Sequence, residues 1–117
     1  MDEPRAFAAL LAGGWRDAAF VPFREGVEIC RLAGDADGAS VALLRYRPGA
    51  SVPLHEHAGL ETVIVLEGSQ ADERGLYGRG TVAVNPAGSR HSVWSDEGCV
   101  VLIQWERPVR ILAEDRP

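Results

Sequence analysis

Apolar residues in this chain come in short runs of four to eight, cut by glycine, proline and aspartate. The runs predict strands over residues 18–23, 27–32, 40–47, 52–57, 61–67, 70–76, 81–84, 90–94, 99–106 and 109–112. Turn signals fall between them: Gly26, Pro48-Gly49, Gly59, Gly68, the glycines at 75, 78 and 80, Pro86 with Gly88, Gly98 and Pro108. A helical period shows only near the start. Over residues 3–11, Pro4 suits a first turn, Asp2 can cap, Gly13-Gly14 ends the pattern, and Phe7, Leu10 and Leu11 share a face. Many short strands without a long helix predict an all-β antiparallel sandwich or barrel. The expected organisation is an N-terminal cover over residues 1–14 and a single domain over 15–114.

Three of the runs are apolar on both faces: Val41-Ala-Leu-Leu44, Val63-Ile-Val-Leu66 and Val100-Val-Leu-Ile103. A strand with one face in water alternates, so these strands are expected to be covered outside as well as inside. Either the N-terminal segment or a second copy of the chain can supply that cover, and a homodimer is the expected assembly.

Composition narrows the partners. With 117 residues, 46% hydrophobic and 25% charged, the chain fits one soluble globular domain. A formal net charge of -5 argues against nucleic acid or an anionic membrane surface as partner. Every basic residue is arginine, which removes lysine Schiff-base chemistry and the lysine of a phosphate loop. The acidic start, Met1-Asp-Glu-Pro-Arg, has no basic segment leading into an apolar one, and no run is long enough to span a bilayer. The expected location is the cytoplasm, where Cys30 and Cys99, each in an apolar run, stay reduced.

The chemistry is concentrated in one stretch. All three histidines, His55, His57 and His91, lie between Gly49 and His91. His55 and His57, two apart on a strand, share a face at roughly 6.6 Å and can converge on one ion. Glu61 on a straight strand would be roughly 13 Å beyond His57, so it joins them only if the chain turns at Ala58-Gly59 onto a neighbouring strand. His91 follows the turn from Asn85 to Gly88 and is expected from a third strand, across the barrel. Three imidazoles and a carboxylate suit one divalent ion per chain: Fe, Zn, Mn or Ni, with Cu also compatible. On a six-coordinate ion two positions would remain for water, substrate or oxygen. Glu56, between two ligands, is expected to face away. Arg45, Tyr46, Trp94, Gln104 and Trp105 are candidate pocket residues that strand parity does not place.

These positions carry a resemblance. The pattern Gly-x5-His-x-His-x3-Glu-x6-Gly occurs at Gly49, His55, His57, Glu61 and Gly68. The pattern Gly-x5-Pro-x-Gly-x2-His-x3-Asn occurs at Gly80, Pro86, Gly88 and His91, with Ser95 in the last place. Together they resemble the two motifs of the cupin (RmlC-like) superfamily. Within it, residues 44–49, 65–68, 72–73, 85–91 and 95–99 are similar to the cupin-like domain of ChrR anti-sigma factors. The resemblance implies a jelly-roll β-barrel with a metal at His55, His57, Glu61 and His91. It admits dioxygenases, isomerases and decarboxylases. The leading expectation is a metal-dependent enzyme, dioxygenase-like or isomerase-like, acting on a small anionic or carbonyl-containing molecule, with Glu61 as a ligand or as the catalytic base. The alternative is a non-catalytic zinc-binding sensor or structural protein of the ChrR type. These 117 residues hold no counterpart of the helical sigma-binding domain of ChrR regulators, and an anti-sigma role is not expected.

Overall fold

The computed structural model describes residues 3–112. Within them run ten strands: β1 (Val21–Arg24), β2 (Val27–Gly34), β3 (Ser40–Tyr46), β4 (Ala50–Glu56), β5 (Glu61–Asp72), β6 (Gly75–Gly78), β7 (Val82–Asn85), β8 (Arg90–Ser95), β9 (Cys99–Trp105) and β10 (Arg110–Ile111). All pairings are antiparallel. One sheet layer runs β1-β2-β3-β9-β5-β7, the other β10-β4-β8-β5-β6, and β5 belongs to both. The sheet therefore curls over on itself into the all-β, cupin-like barrel that the strand pattern predicts. No helix among the described residues is long and apolar enough to cross a membrane.

Strand β5 makes the curl. The sequence splits this region at Gly68 into two strands, but the chain runs through as one. From Glu61 to Gly68 it pairs with β9, and from Ser69 it pairs with β6. A bulge between Val65 and Glu67 inserts Leu66 as an extra residue, which bends and twists the strand. At Gly68 the backbone has φ of 71°, and a Cβ there would lie 2.0 Å from the carbonyl oxygen of Gly98. Only glycine fits both the conformation and the close approach. The residue marks a bend rather than a turn.

The inner faces of the two layers form the main core around Leu44, Val52, Val63, Val65, Val101 and Ile103. Valine and isoleucine fill these positions because their branched side chains pack well on a pleated surface. The outer face of the first layer has a second cluster, in which Leu43, Leu66 and Val100 are buried with Trp15 and Leu32. Leu10, Ala18 and Phe20 from the N-terminal segment pack against it. This explains the doubly apolar runs within one chain: much of their outer cover is the segment before β1. The helix expected over residues 3–11 does not form. Turns occupy residues 8–13, and one 3-10 turn follows at Gly14–Asp17. A helix of nine residues is marginal by itself, and here Trp15 rather than a helical stripe docks on the sheet.

Candidate metal centre

The site forms where the ends of five strands meet between the layers. His55 near the end of β4 lies directly opposite His91 on β8. His57 continues the same ladder just past β4: its N–H donates to the Ser89 carbonyl (2.9 Å), and its carbonyl accepts from Gly88 N–H (2.7 Å). Gly88 can present that N–H because its φ is 88°. Glu61 opens β5 in the other layer, paired with Asn85 of β7 on one side and Trp105 of β9 on the other. The structure thus reverses two expected placements. His91 is the strand neighbour of His55, and Glu61 approaches from the facing layer. The four-residue link from His57 to Glu61 crosses between layers instead of making a hairpin, and sequence spacing alone does not distinguish these.

All three imidazoles are buried, at 4%, 1% and 5% exposure for His55, His57 and His91. One nitrogen from each ring lies within 4.8 Å of the others, and ring centroids are 4.7–5.2 Å apart. Each Nδ1 faces an acceptor. His55 Nδ1 lies 2.8 Å from the Pro53 carbonyl, His57 Nδ1 is 3.0 Å from the Ser89 carbonyl, and His91 Nδ1 is 2.9 Å from an Asp72 carboxylate oxygen. A carbonyl or carboxylate cannot donate, so in each neutral ring the proton sits on Nδ1 and Nε2 keeps its lone pair. Nε2 of His57 and of His91 are buried without a hydrogen-bond partner. Buried, unsatisfied acceptors are rare, and three imidazoles held in one tautomer and converging are what a divalent metal requires. The residues present fit such an ion.

Glu61 touches this cluster at His57, with Oε2 3.0 Å from Nε2 but off the line of a hydrogen bond. Its two oxygens are claimed elsewhere: Trp105 Nε1 donates to Oε1 (2.9 Å) and Asn85 Nδ2 to Oε2 (2.8 Å). The structure therefore gathers His55, His57 and His91 and sets Glu61 beside them. Burial alone would raise the Glu61 carboxyl, but His57 and Asn85 outweigh it and hold the group below its ordinary range. Burial likewise pulls His57 down, and the Glu61 carboxylate more than offsets it. His55, with burial dominant, is lowered and stays neutral.

The chain as a whole matches known proteins. The ChrR cupin-like domain matches residues 11–108. The chain belongs to that family. The anti-sigma-E factor ChrR of Cereibacter sphaeroides is 33% identical over 76 residues, 62% of this chain and 36% of ChrR, so the chain spans about a third of its relative's length. In the solved complex of Rhodobacter sphaeroides SigE with ChrR, the match is 29% identical with a TM-score of 0.71, covering 90% of this chain and 60% of that one. An acetylacetone dioxygenase from Acinetobacter johnsonii has the same fold, with a TM-score of 0.73 at 17% identity over 81% of this chain and 72% of that one.

Several parts of this cupin centre lie outside the two motifs. Asp72 at the end of β5 accepts from His91, from the Tyr77 hydroxyl (2.8 Å) and from the N–H groups of Arg74 (2.8 Å) and Gly75 (3.2 Å). Burial raises its carboxyl, and His91 and Tyr77 outweigh that and lower it. Its sequence signal is an aspartate three residues before a glycine, the mark of a side chain that caps its own turn. Of the candidate pocket residues, Tyr46 and Trp105 line a cavity of about 60 Å³ over the site, together with His55, Glu61, Gln70 and His91. Burial pushes the Tyr46 hydroxyl well above its ordinary value. Arg45 instead pairs with Glu28 at the surface, and Trp94 and Gln104 do not line that cavity. Glu56 points away, as expected, toward Arg90 and Arg110.

Proposed function

We propose that this domain is a metal-dependent enzyme, dioxygenase-like or isomerase-like, acting on a small molecule. The observation that carries the reading is the cavity lined by His55 and His91 of the three-histidine cluster, since a purely structural site is closed by its protein ligands. His55, His57 and His91 hold one divalent ion per chain, of Fe, Zn, Mn or Ni, and Glu61 completes the set or stands beside it. When bound, the ion acts as a Lewis acid toward a substrate oxygen and, if iron, as a site for oxygen chemistry. The protein's own part is positional. Asp72, Ser89 and the Pro53 carbonyl fix the rings, and the apolar walls exclude water. Glu61, kept ionised between Asn85 and Trp105, accepts a proton from a substrate carbon or hydroxyl. The shared fold of the acetylacetone dioxygenase supports a small oxygen-bearing substrate. We place the protein in the cytoplasm as a homodimer, with the exposed Val82 and Val84 of edge strand β7 as the apolar contact.

Elemental analysis of protein reconstituted with Fe(II), Mn(II) or Zn(II) is expected to find about one ion per chain. Oxygen uptake with acetylacetone as the first probe is expected from the Fe(II) form. Glu61→Gln should keep the ion within about tenfold in affinity while losing turnover. A wild type that takes up no metal, or His57→Ala with unchanged occupancy and Tm, sinks this reading.

Family membership and the 33% identity to ChrR favour a second reading, a zinc-binding sensor or structural domain without turnover. It predicts a zinc ion held against chelators and no small ligand that perturbs a substituted Co(II) spectrum.

A further inference from the structure

We infer that Arg24 is the anion-binding residue of this cavity and that the substrate is a small carboxylate carrying a second, metal-directed oxygen. The inference rests on the metalloenzyme reading and names its substrate class. Among the described arginines only Arg24 and Arg31 are half-buried. Arg31 donates to Ser40 Oγ (3.3 Å). Arg24 makes no ion pair or side-chain hydrogen bond with any described residue, whereas Arg16, Arg45, Arg74, Arg90 and Arg110 all have carboxylate partners. Its neighbours along the ladder give its direction. Arg24 pairs with Val27, Val27 with Tyr46 and Tyr46 with Cys99, and the last three belong to the inner core. Directly opposed residues share a face, so Arg24 heads the inner row.

It accordingly lines the same cavity as His55, Glu61 and His91, and it also borders a more open polar hollow with Arg47 on the solvent side. The guanidinium lies 5.9 Å from the Phe23 ring, which packs at 6.2 Å on Trp105, the donor to Glu61. Half-burying a guanidinium without a counter-charge is unfavourable, and its planar fork matches a carboxylate in two hydrogen bonds. A largely apolar wall with one cation, Arg24, and two of the clustered imidazoles, His55 and His91, selects a ligand with two different ends. The carboxylate goes to Arg24, and a carbonyl or hydroxyl oxygen goes toward the histidines.

The test uses the Co(II)-loaded protein, with pyruvate as the carboxylate probe and butane-2,3-dione as its neutral counterpart, read by the change in the visible Co(II) spectrum. Wild type is expected to bind pyruvate more tightly than the dione. Arg24→Gln should weaken pyruvate roughly ten- to hundredfold and leave the dione within about twofold, while Arg24→Lys recovers part of the loss. Arg47→Gln, on the solvent side, should leave both probes within about twofold. Equal pyruvate affinity in wild type and Arg24→Gln, an equal loss for both probes, or no response of wild type to pyruvate overturns the assignment. Absence of Co(II) uptake sinks the metalloenzyme reading and this one with it. Uptake without Arg24-dependent discrimination sinks this one alone.

Discussion

Strand β5 carries a buried carboxylate at each end, and the two are held in opposite ways. Glu61 is gripped by its cross-strand partners, Asn85 and Trp105, which belong to strands far away in sequence. Asp72 is gripped mainly by the turn that follows it, through Arg74, Gly75 and Tyr77. Glu61 depends on correct sheet register, while most of what holds Asp72 is in place as soon as a few residues turn. The difference teaches which half of the centre is sensitive to the whole fold. Straight, β5 would separate its ends by roughly 36 Å. Yet Glu61 meets His57 at 3.0 Å, Asp72 meets His91 at 2.9 Å, and the two rings are 4.7 Å apart. The bulge and Gly68 close that gap.

Breaking the bend should therefore disable both ends together. Gly68→Ala is expected to destabilise the fold by about 3 kcal/mol or more, because its Cβ meets the Gly98 carbonyl at a positive φ. Thermal unfolding should show a Tm lower by more than about 10 °C. A near-normal Tm would mean that the bend relaxes without cost.

The Asp72 end can be probed alone. Asp72→Ala is expected to lower affinity for Zn(II), measured by competition with a chromophoric chelator, by about 10–100-fold with a far smaller change in Tm. Equal affinities would show that the His57 and His55 anchors suffice.

At the Glu61 end, Trp105→Phe removes one donor and keeps the ring against Phe23. A loss of about 1 kcal/mol in denaturant unfolding is expected, with metal affinity little changed. A larger affinity loss would make Glu61 orientation part of the ion's binding.

The smallest effect is chemical. Cys99 faces Gly68 across the ladder, and burial pushes its thiol up to about 11. In the fold the neutral form is favoured, so this group's contribution to stability is full below pH 9.0 and is lost as pH rises toward about 11. Iodoacetamide at pH 8 should leave Cys99 unmodified in native wild type and label it in Gly68→Ala. Rapid labelling of the wild type would show that the bend opens by itself.

What was legible in the sequence follows the same division. Alternation and turn residues located nearly every strand, and the histidine spacing located three imidazoles with Glu61 near them. Both are local signals. Gly68 misled because glycine marks turns and bends alike, and only the pairing of residues 61–68 with β9 and 69–72 with β6 decides between them. The places of His91 and Glu61 were exchanged for the same reason: which strands become neighbours depends on long-range pairing. Trp105 takes no role from its sequence position because its strand is apolar on both faces, and its cross-strand register to Glu61 gives it one. Asp72 falls inside the strand expected over 70–76, which in the structure ends there, and its partner His91 lies 19 positions away.

The bend in β5 also makes this strand a gauge of fixed length. Removing or adding one residue on either side of Gly68 would rotate the side chains on that side to the opposite face of the sheet. One carboxylate would then point into water while the other stayed in place, leaving half a centre on an intact barrel. Natural or engineered changes in length are better absorbed in the β2–β3 connection around residues 35–39, whose exposed turn lies outside the ladder that aligns the two ends.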